Sequence, residues 1–250
     1  MRNTIGFIGL IFCLLGAPPV EAADYLREKK WADEITPAIV VGDPVYLKIR
    51  SGHQFLAIYT VATNAKAGLV IVHGMGVHPD WGLIGVLRSE LPDHGYTSLS
   101  VQMPVLSNEA KPEDYASTFG EASERIAAAV NFFTAQGLKK IFLVSHSMGS
   151  RMVRHHLITN PQVRVSGWVS IGMGGNEDYK DIILPVLDLY GENDTPAVLQ
   201  NAKKRAVSIA KHKASQQTTV PGAEHFFNTH RGELLNSVRG FLDRVVRLER

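Results

Sequence analysis

Apolar positions along this chain change rhythm near Leu69. Before it, residues 38–41, 45–49 and 55–61 are short stretches rich in β-branched and aromatic side chains. The turn-forming groups Gly42-Asp43-Pro44 and Ser51-Gly52 separate them, which predicts strands joined by tight turns and an antiparallel approach to a sheet. A polar lead-in precedes them. From Leu69 on, nearly continuous apolar runs alternate with longer segments in which apolar residues recur every three to four positions. The runs at 68–72, 97–102, 140–144, 165–171, 186–189 and 218–220 predict strands; 114–135 and 199–211 predict helices. Apolar strands alternating with amphipathic helices imply an α/β fold with a mainly parallel central sheet covered on both faces. Sites in such sheets form at the carboxyl ends of the strands. Only residues 172–185 separate two successive strands where a large cap domain would be inserted, so none is expected. The stretch 106–118 is the one loop long enough to overhang that edge.

Composition adds limits. The chain has 250 residues, 45% of them hydrophobic and 20% charged, enough for a large core without metal or disulfide. A net charge of +2, with Lys and Arg scattered, argues against nucleic acid as a partner. Arg2, an apolar stretch from Ile5 to Leu15, and the small residues around Val20 and Ala22 form the pattern of a secretory signal. The expected organisation is residues 1–22 as signal peptide and 23–250 as a single domain, exported, with no membrane span after cleavage. The one cysteine, Cys13, would leave with the signal. The C-terminal segment 231–250 is basic and amphipathic, a pattern that more often packs on a sheet than on lipid.

Two runs end on clusters that carry chemistry. Ser145-His146-Ser147-Met148-Gly149 follows an apolar strand and opens a helical segment, the setting in which a serine on a sharp turn projects its hydroxyl above the sheet. Ser147 is the candidate nucleophile; a Ser/Gly-rich helix start is the plainer reading. Ser145 stands where the common GxSxG pattern has glycine. A serine needs a base and the base an orienting acid. His225, after the last strand, and Asp194, after the one before, occupy the right places, in the chain order Ser, Asp, His. Glu192 and His230 are alternatives, and Asp194 is also suited to capping a helix that begins at Pro196. His73-Gly74-Met75-Gly76 ends the first parallel strand, and the N–H groups of Met75 and Met148 are the expected oxyanion donors. Gly74, Gly76, His146 and Gln102 are candidate substrate contacts, although Gln102-Met103-Pro104 equally suits a plain loop wall. Pro79-Asp80-Trp81 reads as a helix start with a buried indole. No HExxH pattern occurs, and His155 and His156 point to different helix faces, so neither a metal nor another cofactor is expected.

The chain from about Ala38 on resembles the α/β-hydrolase superfamily, and HGMGVHPDW, LSVQMP and SHSMG are similar to DUF3530, a family of uncharacterised bacterial exported proteins. The superfamily resemblance implies a serine hydrolase using Ser147, Asp194 and His225; the narrower one implies a bacterial periplasm or the medium as destination and little about substrate. The expectation is a carboxylic ester hydrolase acting on a small-molecule ester or acyl substrate. An acyltransferase, a peptidase, or a non-catalytic envelope binding or assembly protein on the same scaffold are the rivals, and the sequence names no protein partner.

Overall fold

The computed structural model describes residues 23–209 and 212–248. The expected signal peptide and Cys13 lie outside the described residues. Among those described, eight strands form one sheet in the order β1-β2-β4-β3-β5-β6-β7-β8. The strands are β1 Asp43–Lys48, β2 Gln54–Thr60, β3 Ala67–Val72, β4 Tyr96–Val101, β5 Ile141–His146, β6 Gly167–Ile171, β7 Val186–Asn193 and β8 Gln216–Glu224. β1 and β2 form an antiparallel hairpin, β2 joins β4 antiparallel, and every pairing from β4 through β3 to β8 is parallel.

Central strands buried on both faces have no polar side to alternate with, which is why 69–72 reads as a solid apolar run. On β3, Val70 and Val72 face one layer with α3 (Phe119–Ala135) and α4 (Met148–Thr159), while Leu69 and Ile71 face the other, with α2 (Gly82–Glu90) and α7 (Arg231–Leu248). Helix α7 buries Leu234, Val238, Phe241, Leu242 and Val245 against the sheet, so its basic face is left to solvent. The short α5 (Pro196–Leu199) and α6 (Ala202–Ile209) lie between β7 and β8. Among the described residues no helix is long and apolar enough to cross a membrane. The segment between β6 and β7 contains no inserted domain.

Two sequence expectations change here, and two further segments gain detail that the sequence left open. The lead-in is a helix, α1 (Tyr25–Ile35), capped by the Asp24 carboxylate on the Arg27 N–H at 3.0 Å. It lacks an apolar stripe because an ion pair anchors it: buried Glu28 receives Arg125 Nη1 at 2.8 Å and Nη2 at 3.1 Å. Residues 38–41 are no strand; after a 3₁₀ turn at Thr36–Ala38 the backbone runs unpaired, Val40 is almost fully exposed, and the Val41 carbonyl accepts from Arg88 Nη1 at 2.6 Å. Pro37 and Gly42 flank this run and favour neither ladder nor helix. The loop 106–118 is fastened to the core at two points: Leu106 and Tyr115 are core residues, the Leu106 N–H donates to Tyr115 Oη at 3.2 Å, and Arg27 Nη1 donates to the Leu106 carbonyl at 2.6 Å. Finally, α2 starts at Gly82, and the Trp81 indole is only half-buried.

Candidate active site

Ser147 sits between β5 and α4 with φ 55° and ψ −121°. A non-glycine residue held at positive φ is strained, and the packed turn that imposes the strain carries the hydroxyl at its tip. The turn closes because Gly149 has no Cβ; one would overlap the carbonyls of Val72 and His73. Opposite, a Cβ on Gly74 would meet the Ser147 Cβ at 3.2 Å, so the two turns approach as closely as the backbone allows.

Ser145 fits where glycine is usual because its hydroxyl has work inside. Its Oγ accepts from the indole Nε1–H of Trp168 at 2.8 Å and lies 3.0 Å from Ser150 Oγ. Trp168 is completely buried, so this acceptor satisfies a donor that water cannot reach. Ser145→Gly is expected to lower the unfolding free energy by about 1–3 kcal/mol, the cost of an orphaned buried donor. Urea unfolding should show a lower midpoint at an unchanged slope; an unmoved midpoint would mean that the indole finds another acceptor.

Three turns at the carboxyl edge bring together the residues expected from sequence. His225 Nε2 lies 3.0 Å from Ser147 Oγ, and His225 Nδ1 lies 2.6 Å from Asp194 Oδ1. An ionised Asp194 only accepts, so Nδ1 carries the proton and Nε2 faces the serine hydroxyl as acceptor. Asp194 is itself fixed by the Thr195 N–H at 2.7 Å and the Gly191 N–H at 3.4 Å. Burial pushes its carboxyl up, but the hydrogen bond and charge of His225, joined by these two N–H groups, outweigh burial and hold the carboxyl below its ordinary range. The alternatives lie elsewhere: Glu192 accepts from the Gly222 N–H at 2.9 Å, and His230 Nδ1 is 3.1 Å from the Thr229 hydroxyl.

Two candidate substrate contacts stand behind the site instead of on its surface. His146 is buried, its ring 4.6 Å from that of His225, and its Nε2–H donates to the His225 carbonyl at 3.0 Å. Burial drives its imidazole down to about 3, so it is a neutral peg for the loop that carries His225. Gln102 is buried too; its amide donates to the Met103 carbonyl at 2.7 Å and to His73 Nε2 at 3.1 Å. His73, driven by burial to about 3, accepts the Met103 N–H on Nε2 at 2.9 Å and donates from Nδ1 to the Gly74 carbonyl at 2.8 Å. The result ties the turn of Gly74 and Gly76 to the end of β4. Met75 is exposed in that turn, while Met148, next after Ser147, opens α4 at its positive dipole end.

Sequence reasoning missed Gly172. At φ 57°, it leaves the space in which a Cβ would meet His225 Cε1 at 3.0 Å and Nδ1 at 3.1 Å, so only glycine lets the imidazole stand there. Its position directly after β6 was the available signal. Trp81 was also misplaced: it meets the ring of Phe226 edge-on at 5.1 Å, and Phe226 meets His225 at 5.0 Å, forming an aromatic rim beside the base. Among the described residues no three His, Cys, Asp or Glu side chains gather as a metal-binding group.

Comparison with known proteins agrees with this geometry at the level of fold. Residues 47–124 match the family described as Protein of unknown function (DUF3530); the match includes HGMGVHPDW and the end of β4 but stops before the Ser147 turn. The chain is 27% identical over 163 residues to Protein ABHD14A of Danio rerio, covering 63% of this chain and 57% of that protein's length. Among solved structures, XC6422 of Xanthomonas campestris, an α/β serine hydrolase without a lid, is 16% identical with a TM-score of 0.63, over 84% of this chain and 95% of that one. A cold-adapted esterase from an Arctic intertidal metagenomic library is 17% identical with a TM-score of 0.66, over 80% and 92%. The chain has the α/β-hydrolase fold without a cap domain and resembles the DUF3530 family over the matched residues.

Proposed function

We propose that this protein is a cofactor-free serine hydrolase that cleaves carboxylic esters. The observation that carries the reading is the unbroken chain of contacts from Ser147 Oγ to His225 Nε2 and from His225 Nδ1 to Asp194 Oδ1. His225 takes the hydroxyl proton as Ser147 attacks the ester carbonyl; the resulting oxyanion is held by the N–H groups of Met148 and Met75. His225⁺, stabilised by Asp194, returns the proton to the leaving alcohol. Water then repeats the sequence on the acyl-enzyme and frees the acid. The aromatic rim of Trp81 and Phe226 suits the apolar part of the ester. A lidless, uncapped edge favours a short or surface-presented acyl group, and the lidless serine hydrolase and the esterase of the same fold support the class of reaction.

Export belongs to the same proposal. Removal of residues 1–22 would leave Asp24, the cap of α1, intact at the start of a single domain. The test is a fluorophosphonate probe on the purified protein, with the adduct mapped by mass spectrometry, beside hydrolysis of p-nitrophenyl acetate and butyrate. A single adduct on Ser147 and measurable turnover are expected. A folded protein that takes no label and cleaves neither ester would reduce the triad to a retained scaffold and sink the hydrolase reading.

A further inference from the structure

Arg151 has a role that the triad does not use. It lies one helical turn beyond Ser147 on α4, and helical side chains lean toward the N-terminus of their helix, over the residues three and four before them. Arg151 does so: Nη1 reaches the sulfur of Met148, three residues back, at 3.8 Å. The next residue on that path is Ser147. Around the guanidinium stand Phe119, its ring centre 5.7 Å from Cζ, and Gly175, where a Cβ would lie 3.6 Å from Nε. Phe119 ends the segment that leaves the carboxyl end of β4, and Gly175 lies in the one that leaves β6, so the cation stands at the same edge of the sheet as the triad.

This guanidinium has only loose partners in its own protein, a long ion pair with Glu177 and the face of Phe119. Its Nε is buried and finds no hydrogen-bond partner among the described residues; thioether sulfur is a weak acceptor. The carboxylate near it, Glu177, stays 3.6 Å away, beyond hydrogen-bond distance, while the other oxygen of Glu177 lies 3.0 Å from Arg154 Nη1. Arg154 also binds the Asp178 carbonyl at 2.6 Å, and Lys204 is 3.5 Å from the Asp178 carboxylate, so the acids of this loop have nearer cations. Only 24% of the Arg151 side chain is exposed. A planar fork of donors, mostly buried, with its Nε unmatched by a hydrogen bond and its Nη1 on a thioether, complements one kind of group above others: a carboxylate.

We infer that the ester cleaved at Ser147 carries a carboxylate on its acyl side, and that Arg151 binds it. The inference rests on the hydrolase reading for the identity of the reaction, though the carboxylate site itself does not. Four residues of helix span about 6 Å, an upper bound that the backward lean of the side chain shortens, so roughly two to four carbons between the carboxylate and the scissile carbonyl are enough to reach. Half-esters of succinate to adipate have that form.

The experiment compares mono-p-nitrophenyl glutarate with p-nitrophenyl butyrate on the wild type, Arg151→Gln and Arg151→Lys. The wild type should favour the anionic ester by about 10- to 100-fold in kcat/KM, mainly through KM, the range of a charge-assisted pair. In Arg151→Gln the preference should vanish; Arg151→Lys should keep part of it. A merely structural arginine would depress both esters together and leave the ratio where it was, which overturns the inference, as does a wild type without preference. A second measurement is independent of turnover: calorimetric binding of monomethyl glutarate to Ser147→Ala, and its loss in Ser147→Ala/Arg151→Gln. Equal binding in both, or none in Ser147→Ala, overturns the proposal. If the probe labels Ser147 but the ester ratio is unity, the hydrolase reading survives and the carboxylate site falls; if no serine is labelled yet the half-ester binds through Arg151, the reverse holds.

Discussion

Ser147→Ala and His225→Ala are each expected to lower kcat for a short p-nitrophenyl ester by roughly 10⁴ to 10⁶, and the double variant should lose no more than the worse single one. The two residues act as one unit. With Ser147 Oγ 3.0 Å from His225 Nε2, the hydroxyl becomes a useful nucleophile only while the imidazole takes its proton, and the imidazole has nothing to activate once the hydroxyl is gone. Asp194→Asn should cost about 10⁴ by a different route: an amide in place of the acceptor at 2.6 Å turns the imidazole to the wrong tautomer, leaving Nε2 protonated against Ser147. Saturating and single-turnover kinetics on variants with unchanged circular dichroism would measure these losses. Activity within tenfold of wild type in either single variant, or strictly multiplicative losses in the double, would show that Ser147 and His225 are not the reacting pair.

How much of this was legible beforehand depends on which force holds each part. The strands β3 and β5 were plain because burial on two faces leaves only apolar residues, and the turns that follow them were plain because close backbone approach demands glycine at 74 and 149. Ser147, Asp194 and His225 followed from their places after β5, β7 and β8, since a parallel sheet fixes which ends share an edge. Helix α1 was hidden because its anchor, Glu28 on Arg125, is a pair of charges nearly a hundred residues apart, and a charge in a sequence does not announce its burial. Asp24 and the i,i+4 pairs Lys29–Asp33 and Lys30–Glu34 were the local hints. The fit of Ser145 was hidden for a similar reason: it depends on the Trp168 indole, delivered by the neighbouring strand β6. Arg151 reads as an ordinary helix-surface cation until its buried, unmatched Nε is seen.

The largest loss of stability is expected below the site, where Asp188 and Arg205 meet with both side chains fully buried. Asp188 accepts from Arg205 Nε at 3.0 and 3.1 Å, from Tyr179 Oη at 2.8 Å and from Gln217 Nε2 at 2.7 Å; Arg205 Nη1 donates to the Val198 carbonyl at 2.8 Å. These bonds tie the loop before β7, α5, α6 and β8 to the strand whose far end carries Asp194. Arg205 Nη2 already lacks a hydrogen-bond partner among the described residues, so the cation has no spare acceptor if Asp188 is removed. Asp188→Ala is therefore expected to cost about 3–5 kcal/mol, mostly the penalty of an uncompensated buried charge and not the worth of the pair itself. That distinction sets the check. Asp188→Leu/Arg205→Met removes both charges at similar volume and should recover much of what Asp188→Leu alone loses, so the double-mutant cycle in urea unfolding gives a coupling well above the additive limit. A loss under about 1 kcal/mol for Asp188→Ala, or additive losses in the cycle, would mean that β7 is held by its apolar neighbours and that the position of Asp194 owes nothing to this pair.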